Sequence, residues 1–162
     1  MNMKGPVIYA GSFDPVTYGH LDLVHRAARI FPRVIVAVAR NLEKRPFFTV
    51  SQRADFLRQS LRDLPAAEVD SFSGLLVDYA VRRGVRLLLR GLRAVSDFEY
   101  EFQMALTNRK LHPELETIYL MPCESFSYLS SRIIKEIAAL GGDVSPFVPP
   151  EVVAAFRRRA KR

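Results

Sequence analysis

Five short apolar runs, each followed by a stretch with helical spacing, constrain this chain more than any other feature. The runs are Val7–Ala10, Val34–Ala39, Glu68–Phe72, Val85–Leu89 and Thr117–Met121. Most are continuously apolar, the pattern of strands buried on both faces of a parallel sheet. Between them, Leu21, Val24, Ala28 and Phe31 share one helical face. Ser51 is placed to cap a helix holding Ala54, Leu57 and Leu61. Leu75, Tyr79 and Ala80 form a third helix that Gly84 can end. The Ser96–Glu99 spacing is a capping box ahead of Phe98, Phe102, Ala105 and Leu106, and Pro113 stops that helix. Ser130 can cap a helix on Ile133, Ile134, Ile137 and Leu140, closed by Gly141 and Gly142, and a last helix starts near Pro150. Strands alternating with helices predict an α/β fold: a parallel five-stranded sheet with helices on both faces.

The 162 residues read as one domain, 1–162, with no internal repeat and no linker. Pro146, Pro149 and Pro150 lead into the final helix and mark no boundary. No apolar run approaches the roughly 20 residues of a membrane span, and residues 1–6 lack the apolar core of a signal peptide. A cytoplasmic protein without membrane contact is expected. The lone Cys123 supports neither an internal disulfide nor a cysteine metal cluster. The net charge of +7 could suggest nucleic acid, but Arg157, Arg158, Arg159, Lys161 and Arg162 supply five of the positive charges, and without them +2 is left. This basic tail, at about 157–162, reads as a solvated or frayed terminus, and no nucleic-acid partner is expected.

Ligands of open parallel sheets bind beyond the carboxyl ends of the strands, so the chemistry should lie there. The first end is "GSFDPVTYGH". Gly11 and Ser12 allow close approach to the backbone, Asp14-Pro15 shapes a turn, and His20 falls in the first turn of the next helix. Free amides and the positive dipole at that helix start suit phosphate, and His20 adds a directed donor. The dipole favours neutral imidazole and a bound triphosphate favours the cation, but either form can donate. The second end brings Arg40 and Lys44-Arg45, the third Ser73-Gly74, the fourth Arg90-Gly91-Leu92-Arg93, the fifth Pro122 and then "FSYLSSRIIKE". The phosphate loop Gly-x-x-x-x-Gly-Lys-Ser/Thr and the dinucleotide fingerprint Gly-x-Gly-x-x-Gly are both missing, which argues against a phosphate-loop ATPase or a dehydrogenase.

The Thr17-x-Gly19-His20 segment resembles the (His/Thr)-x-Gly-His signature of the nucleotidylyltransferase superfamily, and "YLSSRIIKE" resembles its Ser-Ser partner element. Between them, "LLRGLRAVSDFEYEFQMALTNRKL" is similar to the phosphopantetheine adenylyltransferase branch, a resemblance running from Gly11 to about Pro149. It implies a Rossmann-like fold, a homohexamer, Mg²⁺ as cofactor, and a reaction of ATP with 4′-phosphopantetheine that yields dephospho-coenzyme A and pyrophosphate. On the matching positions it implies that His20 stabilises the transition state at the α-phosphate. Lys44 and Arg90 would hold the acceptor phosphate, with Ser12 between the nucleotide and pantetheine phosphates. Leu76 would lie beside the pantetheine arm. Phe13, Gly91, Leu92, Arg93 and Glu101 would contact ATP, as would the run Phe126, Ser127, Tyr128, Leu129, Ser130, Ser131 and Arg132. No protein side chain is expected to ligate the metal. Tyr18 stands where this branch commonly has asparagine, Ser12 for threonine, Phe126 for tryptophan and Arg132 for a third serine, while Lys135 keeps the cationic position. Two rivals are a superfamily relative with another acceptor and a nucleotide- or RNA-binding module without turnover. The middle segment favours the pantetheine branch.

Overall fold

The strand order, β3-β2-β1-β4-β5, puts the two halves of the chain on either side of β1 in a five-stranded, all-parallel sheet. The computed structural model describes residues 5–40, 46–93 and 95–160. The strands are β1 (Val7–Gly11), β2 (Val34–Arg40), β3 (Ala67–Ser73), β4 (Leu87–Gly91) and β5 (Glu116–Leu120). Helices α1 (Tyr18–Ala27), α2 (Val50–Ser60), α3 (Leu76–Arg83) and α4 (Val95–Leu111) alternate with them, and α5 (Ser131–Ala139) and α6 (Pro150–Ala160) follow. A short 3₁₀ turn, Glu124–Phe126, links β5 to α5.

Alternation along the buried strands sorts the core into two layers. Tyr9, Val36, Val38 and Leu89 face one way and pack with Leu23 and Val24 of α1, Leu57 of α2, Ile134 of α5 and Val152 and Phe156 of α6. Ile8, Ala10, Ile35, Ala37 and Leu88 face the other way, toward Val77, Tyr79 and Ala80 of α3. Burying two faces is what makes these strands continuously apolar.

Three local expectations are corrected. The fourth strand begins at Leu87, because Gly84 takes a left-handed conformation (φ 64°) and the Val85 N–H bonds Ala80 O. Val85 thus belongs to the helix cap, as the apolar residue after a Schellman glycine does, and Arg90 and Gly91 lie in the strand. Helix α2 is capped by Thr49 rather than Ser51, since Thr49 and Gln52 exchange two bonds in a reciprocal box. Helix α4 already runs from Val95, so Ser96 lies within its first turn instead of ahead of it.

The basic tail is corrected in part. Arg157, Arg158 and Arg159 form the last turn of α6, where cations suit the helix dipole. Arg159 donates to Phe47 O and its guanidinium lies 4.2 Å from the Phe47 ring centroid. Lys161 and Arg162 lie outside the described residues, as does Lys44.

Candidate active site

Strand order reverses between β1 and β4, and beyond their carboxyl ends opens a cleft of about 530 Å³. Its floor is the end of β1 and the turn Ser12–Phe13. One wall is Arg90, Gly91 and Arg93, and the other comprises Phe126 and the start of α5. Gly91 packs closely against α1: a Cβ there would stand 2.6 Å from Leu23 Cδ1, which would have to shift.

At the start of α1, Thr17 and His20 close on each other. The His20 N–H reaches Thr17 Oγ1 at 3.3 Å, and the Thr17 backbone N–H donates to His20 Nδ1 at 3.1 Å. His20 therefore occupies the position that Glu or Gln fills in a capping box. A nitrogen that accepts carries no proton, so the ring is the Nε2–H tautomer. The ring stands edge-on to Phe13, centroids 5.1 Å apart. Burial, then the charges of Arg93 and Arg90, depress its pKa to about 4. At neutral pH His20 is a neutral donor whose Nε2–H is left for the cleft.

Arg90 and Glu101 are not separate contacts. Arg90 Nε and Nη2 form a fork on the Glu101 carboxylate at 2.9 and 2.6 Å, and Nη1 donates to Ala10 O at 2.8 Å. Burial works against the Arg90 charge, but the Glu101 hydrogen bonds and charge outweigh it and hold its pKa above the usual value. Tyr119 donates to Glu101 O and fixes that helix turn against β5. Arg93 is braced by Asp97 at 3.2 Å and by Leu129 O.

The serine pair has structural partners. Ser130 Oγ caps α5 by accepting from Ile133 N at 3.2 Å, and Ser131 Oγ donates to Pro15 O at 2.8 Å. Asp14 accepts from the N–H groups of Phe47 and Phe48, both at 2.8 Å, and from Lys135 at 3.2 Å. The motif after β1 is thereby tied to the segment before α2 and to α5. Two of the four departures, Tyr18 and Phe126, pack together, ring centroids 6.2 Å apart. Arg132 is exposed and bonds Glu136 at 3.1 Å.

Of the residues expected at the site, Ser12, Phe13, His20, Arg90, Gly91, Arg93, Glu101, Phe126, Leu129, Ser130, Ser131 and Arg132 line the cleft. Leu76 lies at the start of α3, half-buried beside the second core layer. Leu92 extends the β4–β5 pairing through its N–H to Leu120 O. Ser127 Oγ bonds Glu124 O, and Tyr128 is exposed. Tyr9, Leu23, Asp97 and Tyr100, which sequence reasoning missed, also line the cleft, together with Pro122 beyond the end of β5. Tyr9 falls within the first apolar run and reads there as core, and Asp97 becomes visible only once the helix phase of α4 is known. No group of three or more His, Cys, Asp or Glu side chains stands together among the described residues.

A neutral donor at a helix start, two braced arginines and a switch-point cleft can hold a triphosphate and stabilise charge on it. Residues 8–137 match the family described as cytidylyltransferase-like, which sets the class as a nucleotidylyltransferase. The fold agrees: a solved structure from Vibrio parahaemolyticus, described as a putative nicotinate-nucleotide adenylyltransferase, superposes with a TM-score of 0.64 at 15% identity, covering 95% of this chain and 99% of that one. A Methylococcus capsulatus protein named phosphopantetheine adenylyltransferase is 55% identical over 97% of this chain and 97% of its own length. One of the same name from Alkaliphilus metalliredigens is 52% identical over 94% of this chain and 98% of its own. The chain belongs to the phosphopantetheine adenylyltransferase family.

Proposed function

We infer that this chain transfers the adenylyl group of ATP to 4′-phosphopantetheine, giving dephospho-coenzyme A and pyrophosphate, the penultimate step of coenzyme A synthesis. The observation that carries this reading is the meeting of the Thr17–His20 box and the Ser130–Ser131 cap at one switch-point cleft, in a chain about half identical to enzymes of that name.

The acceptor phosphate is already a nucleophile, so no general base is needed. One of its oxygens forms the new bond to the α-phosphorus, the bond to the α,β-bridging oxygen breaks, and pyrophosphate leaves with that electron pair. The protein's part is positioning and charge stabilisation. His20 Nε2–H donates to an α-phosphate oxygen as charge builds. Arg90, held in plane by Glu101, holds the acceptor phosphate together with Lys44. Arg93 and the amides at the start of α5 hold the remaining phosphates, with Ser12 between the two substrates.

Mg²⁺ belongs to the same reading. The cleft carboxylates Glu101 and Asp97 are engaged by Arg90 and Arg93, which suits a cation held on the triphosphate oxygens and by water. Bound there, the cation would screen the triphosphate charge and ease departure of pyrophosphate. The reading also includes a homohexamer. Phe98, Tyr100, Phe102, Leu106 and Leu111 stand exposed on α4, a surface suited to a second copy, and a sizing measurement tests the number. No helix among the described residues is long and apolar enough to cross a membrane, and a cytoplasmic location goes with this activity.

Pyrophosphate release with Mg-ATP, offering 4′-phosphopantetheine, nicotinamide mononucleotide and glycerol 3-phosphate in parallel, tests the assignment. Release with 4′-phosphopantetheine alone is expected, and release only with another acceptor overturns the assignment.

A further inference from the structure

Among the described residues the largest fully buried side chain is a cation, Arg53 of α2, 2% exposed. Among the described residues no carboxylate lies within ion-pair distance of it. Its Nη1 donates to two backbone carbonyls, Ser12 O at 2.5 Å and Ala39 O at 3.2 Å, and its Nε points at Thr49 O, 3.4 Å away. Burial lowers its pKa and the nearby Asp14 charge opposes that. A methionine would fill much of the same space without a desolvated charge, so stability alone is a weak reason for arginine here.

The two carbonyls give another reason. Ala39 is near the end of β2, and Ser12 follows the end of β1, so one guanidinium ties together the strand ends beneath the cleft. In a trans peptide, the C=O and the following N–H point in opposite directions. Turning the Ser12 carbonyl inward onto Arg53 aims the Phe13 N–H outward, toward the cleft that Ser12 and Phe13 both line. That N–H has no acceptor among the described residues. Phe13 sits in the left-handed region at φ 46°, a conformation that a non-glycine residue keeps only where its surroundings hold it.

We propose that Arg53 is a positioning residue for adenylyl transfer. It clamps the Ser12 and Ala39 carbonyls and so presents the Phe13 N–H to a phosphate oxygen in the cleft. The proposal rests on the adenylyltransferase reading above and adds a residue that touches no substrate itself.

The test compares the full chain with Arg53→Met and Arg53→Lys, using thermal melts, steady-state kinetics with Mg-ATP and the acceptor that the unaltered chain uses, and the Phe13 amide ¹⁵N–¹H resonance. A misplaced donor costs on the order of 10² in rate. Arg53→Met is expected to lose about that in kcat, with the KM for ATP changed only a few-fold. Arg53→Lys, which keeps the charge but has a shorter reach and lacks the Nε donor, should fall between them. ATP should shift the Phe13 amide in the unaltered chain and not in Arg53→Met. A folded Arg53→Met with unaltered kcat and an unaltered Phe13 shift overturns the proposal. If the methionine variant does not fold, an Arg53→Lys variant with unaltered kcat overturns it equally. An unaltered chain that turns over only another acceptor refutes the substrate assignment, and the two variants then test Arg53 with that acceptor.

Discussion

The backbone N–H of Thr17 donates to Nδ1 of His20 at 3.1 Å, so the residue that faces the cleft is held by the cap of its own helix. One bond settles which ring nitrogen bears the proton and keeps the ring from turning. Burial and the charges of Arg93 and Arg90 then keep it neutral, with a pKa of about 4 against an ordinary 6.5.

This predicts a definite pH signature. In the unfolded chain His20 takes up a proton near pH 6.5, and in the folded chain only near 4. Between those values the unfolded state binds more protons, so stability rises with pH. The contribution is complete above about 6.5 and is lost as pH falls toward 4, with a slope of at most about 1.4 kcal/mol per pH unit. Urea unfolding across that range should show the slope, and His20→Asn should remove its share. Nitrogen NMR should find the Nε2–H tautomer at pH 7. A ring that titrates near 6.5 contradicts this account.

The Arg90–Glu101 fork predicts an asymmetry between breaking the pair and replacing it. Glu101→Gln leaves a largely buried guanidinium without its counter-charge. Because the Arg90 side chain is 26% exposed, the loss should be about 1–3 kcal/mol, below that of a fully buried pair. Arg90→Met with Glu101→Leu should recover much of that stability while leaving turnover low. Equal stability of Glu101→Gln and the unaltered chain would show that the fork contributes little to the fold.

Gly91→Ala should damage the fold through one contact. The added methyl meets Leu23 Cδ1 at 2.6 Å, and overpacking of this kind costs about 1–2 kcal/mol. Leu23→Ala combined with Gly91→Ala should be less unstable than the sum of the two single changes. Strict additivity would place the strain elsewhere.

Direct attack by the acceptor phosphate predicts inversion at the α-phosphorus. With chirally labelled ATP, the dephospho-coenzyme A formed should carry the inverted centre. Retention would require a covalent adenylyl-enzyme and two displacements.

Much of this was legible in the chain because each signal had a local cause. Buried parallel strands are apolar on both faces, so β1, β2 and β4 stood out, and Ser130 caps α5 as its spacing predicts. Where two local solutions competed, the stronger one was hard to foresee. Thr49 with Gln52 makes two bonds and displaces Ser51 as a cap, while Val85 is drawn into the Gly84 turn and shifts β4 onto Arg90. The site was legible where a motif holds its residues close in sequence, as with Thr17 and His20. The pairing of Arg90 with Glu101 joins a strand to the next helix and needs their packing to be known. Arg53 was invisible for the same reason, since its partners Ser12 and Ala39 are 41 and 14 residues away.

The most direct test of the central claim is the turnover of His20→Ala with Mg-ATP and 4′-phosphopantetheine, on protein shown to be folded. Loss of one preorganised donor should lower kcat on the order of 10²–10³-fold, with the KM for 4′-phosphopantetheine little changed. Turnover equal to that of the unaltered chain would contradict the account, because it would leave the Thr17–His20 box as a helix cap and nothing more.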